Sequence, residues 1–426
     1  MKNFISMSKL LLSSVFHKNG WESLERSDVL VVRHDANCGY RYAGKAYSPI
    51  IDTVVEQCFY NGLSVQTIAK PFSKLTEGKA FNSPVAFNRS FLVVALLTRV
   101  LFIFIGRESS KKIAVSKKTS IWLRVLRLVR PRIVIGIQPD SGLCRACRIL
   151  NIPVYDIQHG VISRSHNWYG EILPKEVPDS DLPNGFLCWD HQSACHLQNW
   201  APNRGATVSV VGHPWFQRFQ YPDDKDLLVQ DAIKNGRIFS DRKPVILVSL
   251  QWGLHLHYYQ DSDFNHVMCK ALEVVIKRTH SKYNWLLRLH PVQIMGGEGK
   301  TCEEYLFREF GGFAGVEWRK ASLAPLPVLL SQTNLHITDM SSVVIEASWF
   351  GLPSALLNPC LNKGGSLENL YEHERKSGMA TVLDQEAYAI ESWIDEKRTC
   401  TRSATGFGIP RNGIQSLLEK VMTTSE

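Results

Sequence analysis

Three stretches of the chain place reactive side chains directly after apolar runs. The first is Asp156-Ile157-Gln158-His159-Gly160, continuing through His166. A neutral imidazole, with an ordinary pKa of about 6.5, suits removal of a hydroxyl proton as that oxygen attacks. His159 is therefore the candidate base, and Gly160 would let the backbone turn closely beside it. Asp156 and His166 are secondary candidates. A strand-end histidine bonded to nearby backbone is the plainer use of the same pattern. The second stretch, Trp285-Leu286-Leu287-Arg288-Leu289-His290-Pro291, again runs out into histidine, and Pro291 ends the strand. Arg288 and His290 are donors suited to phosphate oxygens; a His capping a turn is the alternative. The third runs from Leu335 through Asp339, Ser341, Ser342 and Glu346 to Gly351 and Pro353. Ser341 or Ser342 would cap a helix whose free N–H groups attract an anion. Glu346 falls one turn beyond Ser342, within reach of a ribose hydroxyl, and Asp339 is a secondary candidate. An ordinary serine cap on a core helix reads the same way.

These loops need a scaffold, and the apolar runs supply one. Strands are expected at 28–33, 132–137, 153–158 and 206–211, with a helix at 141–150. After a charged stretch from Tyr221 to Lys243, bordered by Pro222 and Pro244, the pattern begins again. Strands are expected there at 245–250, 284–289, 334–338 and 353–357, and helices at 265–280, 323–331 and 342–350. The reading is an α/β protein with two Rossmann-like domains, 1–235 and 236–426, whose parallel sheets face a cleft. Ligands of such sheets sit beyond the carboxyl ends of the strands.

Composition narrows the class. Of 426 residues, 44% are hydrophobic and 21% charged, which excludes a disordered or fibrous chain. The net charge of +9 is concentrated: nine basic residues lie between Arg107 and Arg132, opposed by Glu108 alone. The rest is nearly neutral, so a nucleic-acid envelope is not expected. Within that segment, Trp122, Leu123, Leu126 and Val129 alternate at helical spacing with Arg124, Arg127 and Arg130. This describes either a crossover helix with a solvated face or an attachment to an anionic membrane surface through 107–132. Ten cysteines without regular spacing suit reduced thiols in a cytoplasmic protein. Cys144-Arg145-Ala146-Cys147 and the nearby Cys188, His191, Cys195 and His196 match no zinc-finger spacing. The apolar stretch at 10–16 lacks a signal-like cleavage site, and no export is expected. The longest apolar run, Phe91 to Gly106, is interrupted by Arg99, is short for a membrane span, and is expected to pack inside the fold.

Taken together, the His-Gly at 159–160, the Arg-x-His-Pro at 288–291 and the Asp-x-Ser-Ser at 339–342 leading to Glu346 and Gly-x-Pro at 351–353 resemble the metal-independent GT-B transferases of bacterial surface polymers. That group includes CDP-glycerol glycerophosphotransferases, polysialyltransferases and capsular Kdo transferases. Gly212-His213-Pro214 is similar to the segment that closes their N-terminal domain, and the resemblance covers roughly 130–360. It implies His159 as general base, His290, Arg288, Ser341 and Ser342 around the donor phosphate, Glu346 on the ribose, and no cofactor or metal beyond a nucleotide-sugar donor. Val344-Ile345-Glu346 stand where the glycerophosphotransferases have an aromatic and Asp, which favours a sugar over glycerol phosphate as the transferred group. The implied activity is transfer of a sugar, with CMP-linked Kdo or sialic acid favoured, to a glycan or lipid-linked glycan in capsule or lipopolysaccharide synthesis. Such an enzyme is expected in the cytoplasm, peripheral on the inner face of the membrane. A CDP-glycerol-type transferase, a nucleotide-sugar epimerase and a non-catalytic assembly subunit are the rival readings.

Overall fold

Val29-Leu30-Val31-Val32 and Val245-Ile246-Leu247-Val248 are apolar at every position, the composition of strands covered on both faces. In the computed structural model every residue of these runs is buried inside a parallel sheet. The structure describes residues 19–35, 38–76, 78–254, 267–295, 298–399 and 413–423. They form two units, 19–215 with 413–423, and 216–399.

The first unit contains β1 (Val29–Arg33), β2 (Tyr40–Tyr42), β3 (Lys45–Tyr47), β4 (Val65–Ala69), β5 (Ile133–Gly136), β6 (Val154–Ile157), β7 (Gly185–Cys188) and β8 (Thr207–Val210). Six of these make a parallel sheet ordered β4-β1-β5-β6-β7-β8, while β2 and β3 pair as an antiparallel hairpin. The buried Arg33, at the end of β1, joins the hairpin to the sheet. Its guanidinium pairs with Asp52 at 3.0 Å and donates to the carbonyls of Phe81 and Ala46.

The second unit contains β9 (Val245–Ser249), β10 (Asn284–Arg288), β11 (Val316–Glu317), β12 (Leu335–Thr338), β13 (Ser354–Leu356) and β14 (Ala380–Val382). Its six parallel strands are ordered β11-β10-β9-β12-β13-β14. In order of appearance this is 3-2-1-4-5-6, the doubly wound arrangement of dinucleotide-binding sheets. The order reverses between β9 and β12, so the ligand-facing crevice of this sheet lies at those two strand ends.

The α/β expectation with two parallel sheets holds, but three details differ. The division falls at 215/216, not near 235. The supposed linker contains a helix, Leu227–Asn235, with Leu228, Val229 and Ala232 buried, and Gly236 beyond it lies against Val328. The terminal helix Gly413–Thr423 belongs to the first unit rather than the second. Finally, the run from Phe91 to Gly106 is largely on the surface. It belongs to a long helix, Asn88–Val129, broken at Gly106, where φ is 77°. Only 17% of its most apolar stretch is buried. The apolar stretch at 10–16 and the first residues of the helix expected from 265 lie outside the described residues.

Candidate functional site

In the first unit the sheet order brings together the loops after β1, β4, β5 and β6. Gln158 builds the turn that follows β6. Its Nε2 donates to the Gly160 carbonyl and to Ser193 Oγ, both at 2.9 Å, and its Oε1 accepts the Trp189 N–H at 2.7 Å. His159 therefore leaves the sheet from a backbone pinned on both sides. The residue is half-buried, and its Nδ1 is buried with no hydrogen-bond partner among the described residues. Gly160 is not needed for a left-handed turn, since its φ is not positive, and a Cβ there would meet nothing within 4 Å. The backbone there thus does not require glycine, and a side chain at 160 would meet no atom beyond its chain neighbours.

His34, the first residue after β1, stacks on His159 with ring centroids 6.4 Å apart and planes 20° from parallel. Burial, followed by the charges that His34, His166 and Lys70 can carry, pulls the His159 imidazole down to about 3. Burial and Lys70 hold His34 at about 4, against the opposing pull of Asp35. Both rings are therefore neutral at physiological pH. Lys70 follows β4, and burial lowers its ammonium while Asp140, Asp156 and Asp35 oppose the shift. Two neutral imidazoles beside a half-buried ammonium can accept a proton and attract an anion at one strand edge.

Asp156 lies within β6 itself. Its buried carboxylate accepts the Gln138 N–H at 2.9 Å and the Tyr169 hydroxyl at 3.3 Å, and burial raises it to about 7. It thus anchors two loops rather than opening onto the strand edge. His166 sits at the start of a helical turn, partly exposed, with Nδ1 buried and its ring 5.3 Å from Tyr169. The thiols of Cys144 and Cys147 are buried in the core of this unit, under the Ser141–Ile149 helix. His213 is buried against Trp189, with centroids 4.3 Å apart.

In the second unit, Gln251, two residues beyond β9, joins the flanking loops. Its Oε1 accepts the Met340 N–H at 2.6 Å, and its carbonyl accepts Gln293 Nε2 at 3.1 Å. The loops after β10 and β12 are not direct neighbours, because β9 runs between them. His290 Nδ1 accepts the Val292 N–H at 3.1 Å, which leaves the ring proton on Nε2 as a donor. Burial and Arg288 hold this imidazole at about 4. Trp252, 45% exposed, lies with its ring 6.4 Å from that of His290.

Arg288 is tied to the protein. Its Nη1 donates to the carbonyls of Ala321 and Ala324 at 2.6 and 2.7 Å, and burial lowers it to about 10, opposed by Glu346. Ser341 is buried; its N–H reaches Thr338 Oγ1 and its Oγ accepts the Val343 N–H at 3.4 Å. Ser342 takes the N-cap position of the Val343–Trp349 helix, without a side-chain cap bond, and keeps partial exposure. Asp339 and Glu346 are buried. The Glu346 carboxylate acts electrostatically on Arg288 and Tyr371.

His34, Lys70, Gln251 and Trp252 were not singled out from the sequence. His34 carried the same signal as His159, an apolar run ending in histidine. The other three gain their meaning from the sheet order.

No protein-family model matches this sequence, and no curated protein is similar to it. Solved structures are. A UDP-GlcNAc 2-epimerase from Neisseria meningitidis, bound to UDP-GlcNAc, is 14% identical with a TM-score of 0.51; the match covers 93% of this chain and 99% of that one. The UDP-GlcNAc 2-epimerase of Methanocaldococcus jannaschii is 13% identical, with a TM-score of 0.55 over the same shares of the two chains. The wall teichoic acid polymerase TagF, a histidine-to-asparagine variant solved with CDPG, is 12% identical with a TM-score of 0.54, covering 99% of this chain and 95% of that one. The α/β chain, with its two six-stranded parallel sheets, has the GT-B-like fold found in these enzymes.

Proposed function

We propose that this protein is a glycosyltransferase of bacterial surface-polysaccharide synthesis, moving a sugar from a nucleotide-activated donor to a glycan hydroxyl. The observation that carries the reading is His159: half-buried at a strand end, neutral, with a buried Nδ1 that has no hydrogen-bond partner among the described residues. In this reading the acceptor hydroxyl loses its proton to that imidazole as its oxygen bonds to the anomeric carbon and the carbon–phosphate oxygen bond breaks. An anionic substrate group beside His34 and Lys70 raises the basicity of His159 when it binds. His290 Nε2–H, in the second unit, donates to the phosphate oxygen on which charge grows. Trp252 offers the nucleobase an aromatic face. A CMP-linked acidic sugar is the favoured donor, since its carboxylate supplies the anion that the first-unit cluster attracts.

A second reading is supported by the run of UDP-GlcNAc 2-epimerases among similar structures: interconversion of a UDP-sugar without any acceptor. Transfer from a CDP-glycerol-type donor is supported by the likeness to TagF. Thermal-shift titration with CMP, CDP, UDP and GDP separates these, because a ligand that binds the native state raises its melting temperature. Stabilisation by CMP, with sugar transfer that needs an added glycan, is the expected result. Epimerised UDP-GlcNAc in an acceptor-free reaction would replace the transferase reading with the epimerase one.

A further inference from the structure

The long helix Asn88–Val129 is a hairpin. Phe91 and Trp122 pack with ring centroids 5.6 Å apart, although an unbroken helix would separate them by about 46 Å. Gly106, in a backbone conformation that L side chains rarely adopt, reverses the chain midway between them. Both arms return to one core, where Phe91, Trp122, Val125 and Leu126 are buried together. The far end carries Phe102, Ile103, Phe104 and Ile105, with Ile103 and Phe104 each 77% exposed. Arg107, Lys111 and Lys112 stand exposed just past the turn, and none forms an ion pair among the described residues.

We infer that this hairpin tip docks the protein on an anionic lipid bilayer, with Phe102–Ile105 entering one leaflet and Arg107, Lys111 and Lys112 resting on the acidic headgroups. The chain turns back at Gly106, so it leaves the bilayer on the side from which it entered. The first arm is about 21 Å long from Phe91 to Ile105, shorter than a hydrocarbon core of about 30 Å. Arg99, exposed, is the one charged residue of that arm between Phe91 and Ile105, and exposed apolar side chains continue past it at Leu97, Leu96 and Val93. A bare apolar tip with a cationic collar is the pattern of interfacial anchoring. The collar also decides between occupants: a second copy would bring the same positive charge against itself, whereas an acidic bilayer neutralises it.

The test is flotation of the full-length protein with phosphatidylcholine vesicles, with and without phosphatidylglycerol, independent of any catalytic assay. Wild type should float with the acidic vesicles. Ile103→Glu/Phe104→Glu should lose at least tenfold in partitioning. Lys111→Glu/Lys112→Glu should lose tenfold or more at low salt, with the deficit shrinking as salt is added. Unchanged circular-dichroism melting confirms that these surface variants are folded. In Phe104→Trp, the added fluorescence should be quenched by lipids brominated in the acyl chains. The inference is overturned if wild type stays in the soluble fraction with acidic vesicles, or if the tip variants float as wild type does. A concentration-dependent dimer that Phe104→Glu dissociates, with no vesicle binding, would assign the tip to self-association instead.

Discussion

At the scale of single residues, His159 and His290 should fail in different ways. His159→Ala removes the proposed proton acceptor, so kcat for transfer should fall about 10²–10⁴-fold. Donor affinity, measured by calorimetry, should stay within about twofold of wild type. His290→Ala removes a donor whose proton is fixed on Nε2 by the Val292 N–H. Donor Kd should rise about tenfold to a hundredfold, the range for a lost hydrogen bond to a charged group. Equal loss of donor affinity in both variants would mean that His159 holds substrate rather than taking its proton. The histidines were legible in the sequence because an apolar run ending in His is a local signal. Glu346 and Arg288 were visible too, but their placement was not. One is buried, and the other is engaged by the carbonyls of Ala321 and Ala324.

At the scale of elements, the strands flanking each loop were readable where they were long and wholly apolar, as at 29–33, 133–136 and 245–249. β11 and β14, of two and three residues, carry too little pattern to be found in the sequence. Lys70 and Gln251 could not be placed, because the pairing of β4 with β1 and of β9 with both β10 and β12 is a long-range property. The apolar run at 91–106 misled for the same reason: hydrophobicity implies burial only when a neighbour exists to supply it. Arg33 is an element-scale fastener, since one guanidinium holds β1, the β2–β3 hairpin and the Ile51–Tyr60 helix through Asp52. Burial outweighs the arginine and raises the Asp52 carboxyl to about 6, yet it is mostly ionised at neutral pH. Asp52→Ala strands the arginine charge in the core. It should cost about 3–5 kcal/mol of stability at pH 7.5, read from urea unfolding midpoints.

At the scale of the whole molecule, buried and half-buried histidines govern the response to acid. His34 and His290 are held at about 4, and His159, His213 and His336 at about 3, all chiefly by burial. The unfolded chain protonates these rings near pH 6.5, while the native state does so only near pH 3 to 4. Between those limits the unfolded state binds more protons, so native stability is whole above about pH 6.5 and is lost as pH falls toward 3. Asp52 and Asp156, raised to about 6 and about 7, act in the opposite sense, but two carboxyls do not offset five imidazoles. Melting temperature should therefore drop between pH 6.5 and 4. His336→Asn should shallow that slope, since the His336 ring is fully buried between Ser249 and Ser354. A flat profile over this range would show that the rings already carry protons in the native state.

The helix Gly413–Thr423 has a bearing on biosynthesis. It buries Ile414 and Leu418 in the first unit, with Gly413 lying directly on the Val211 backbone. A ribosome adding roughly 5–20 residues per second needs about 10–40 s to travel from residue 215 to 413. For that interval the nascent N-terminal portion lacks its last apolar covering. It is then most open to chaperones, and a message cut short before this helix would yield a first unit that never seals.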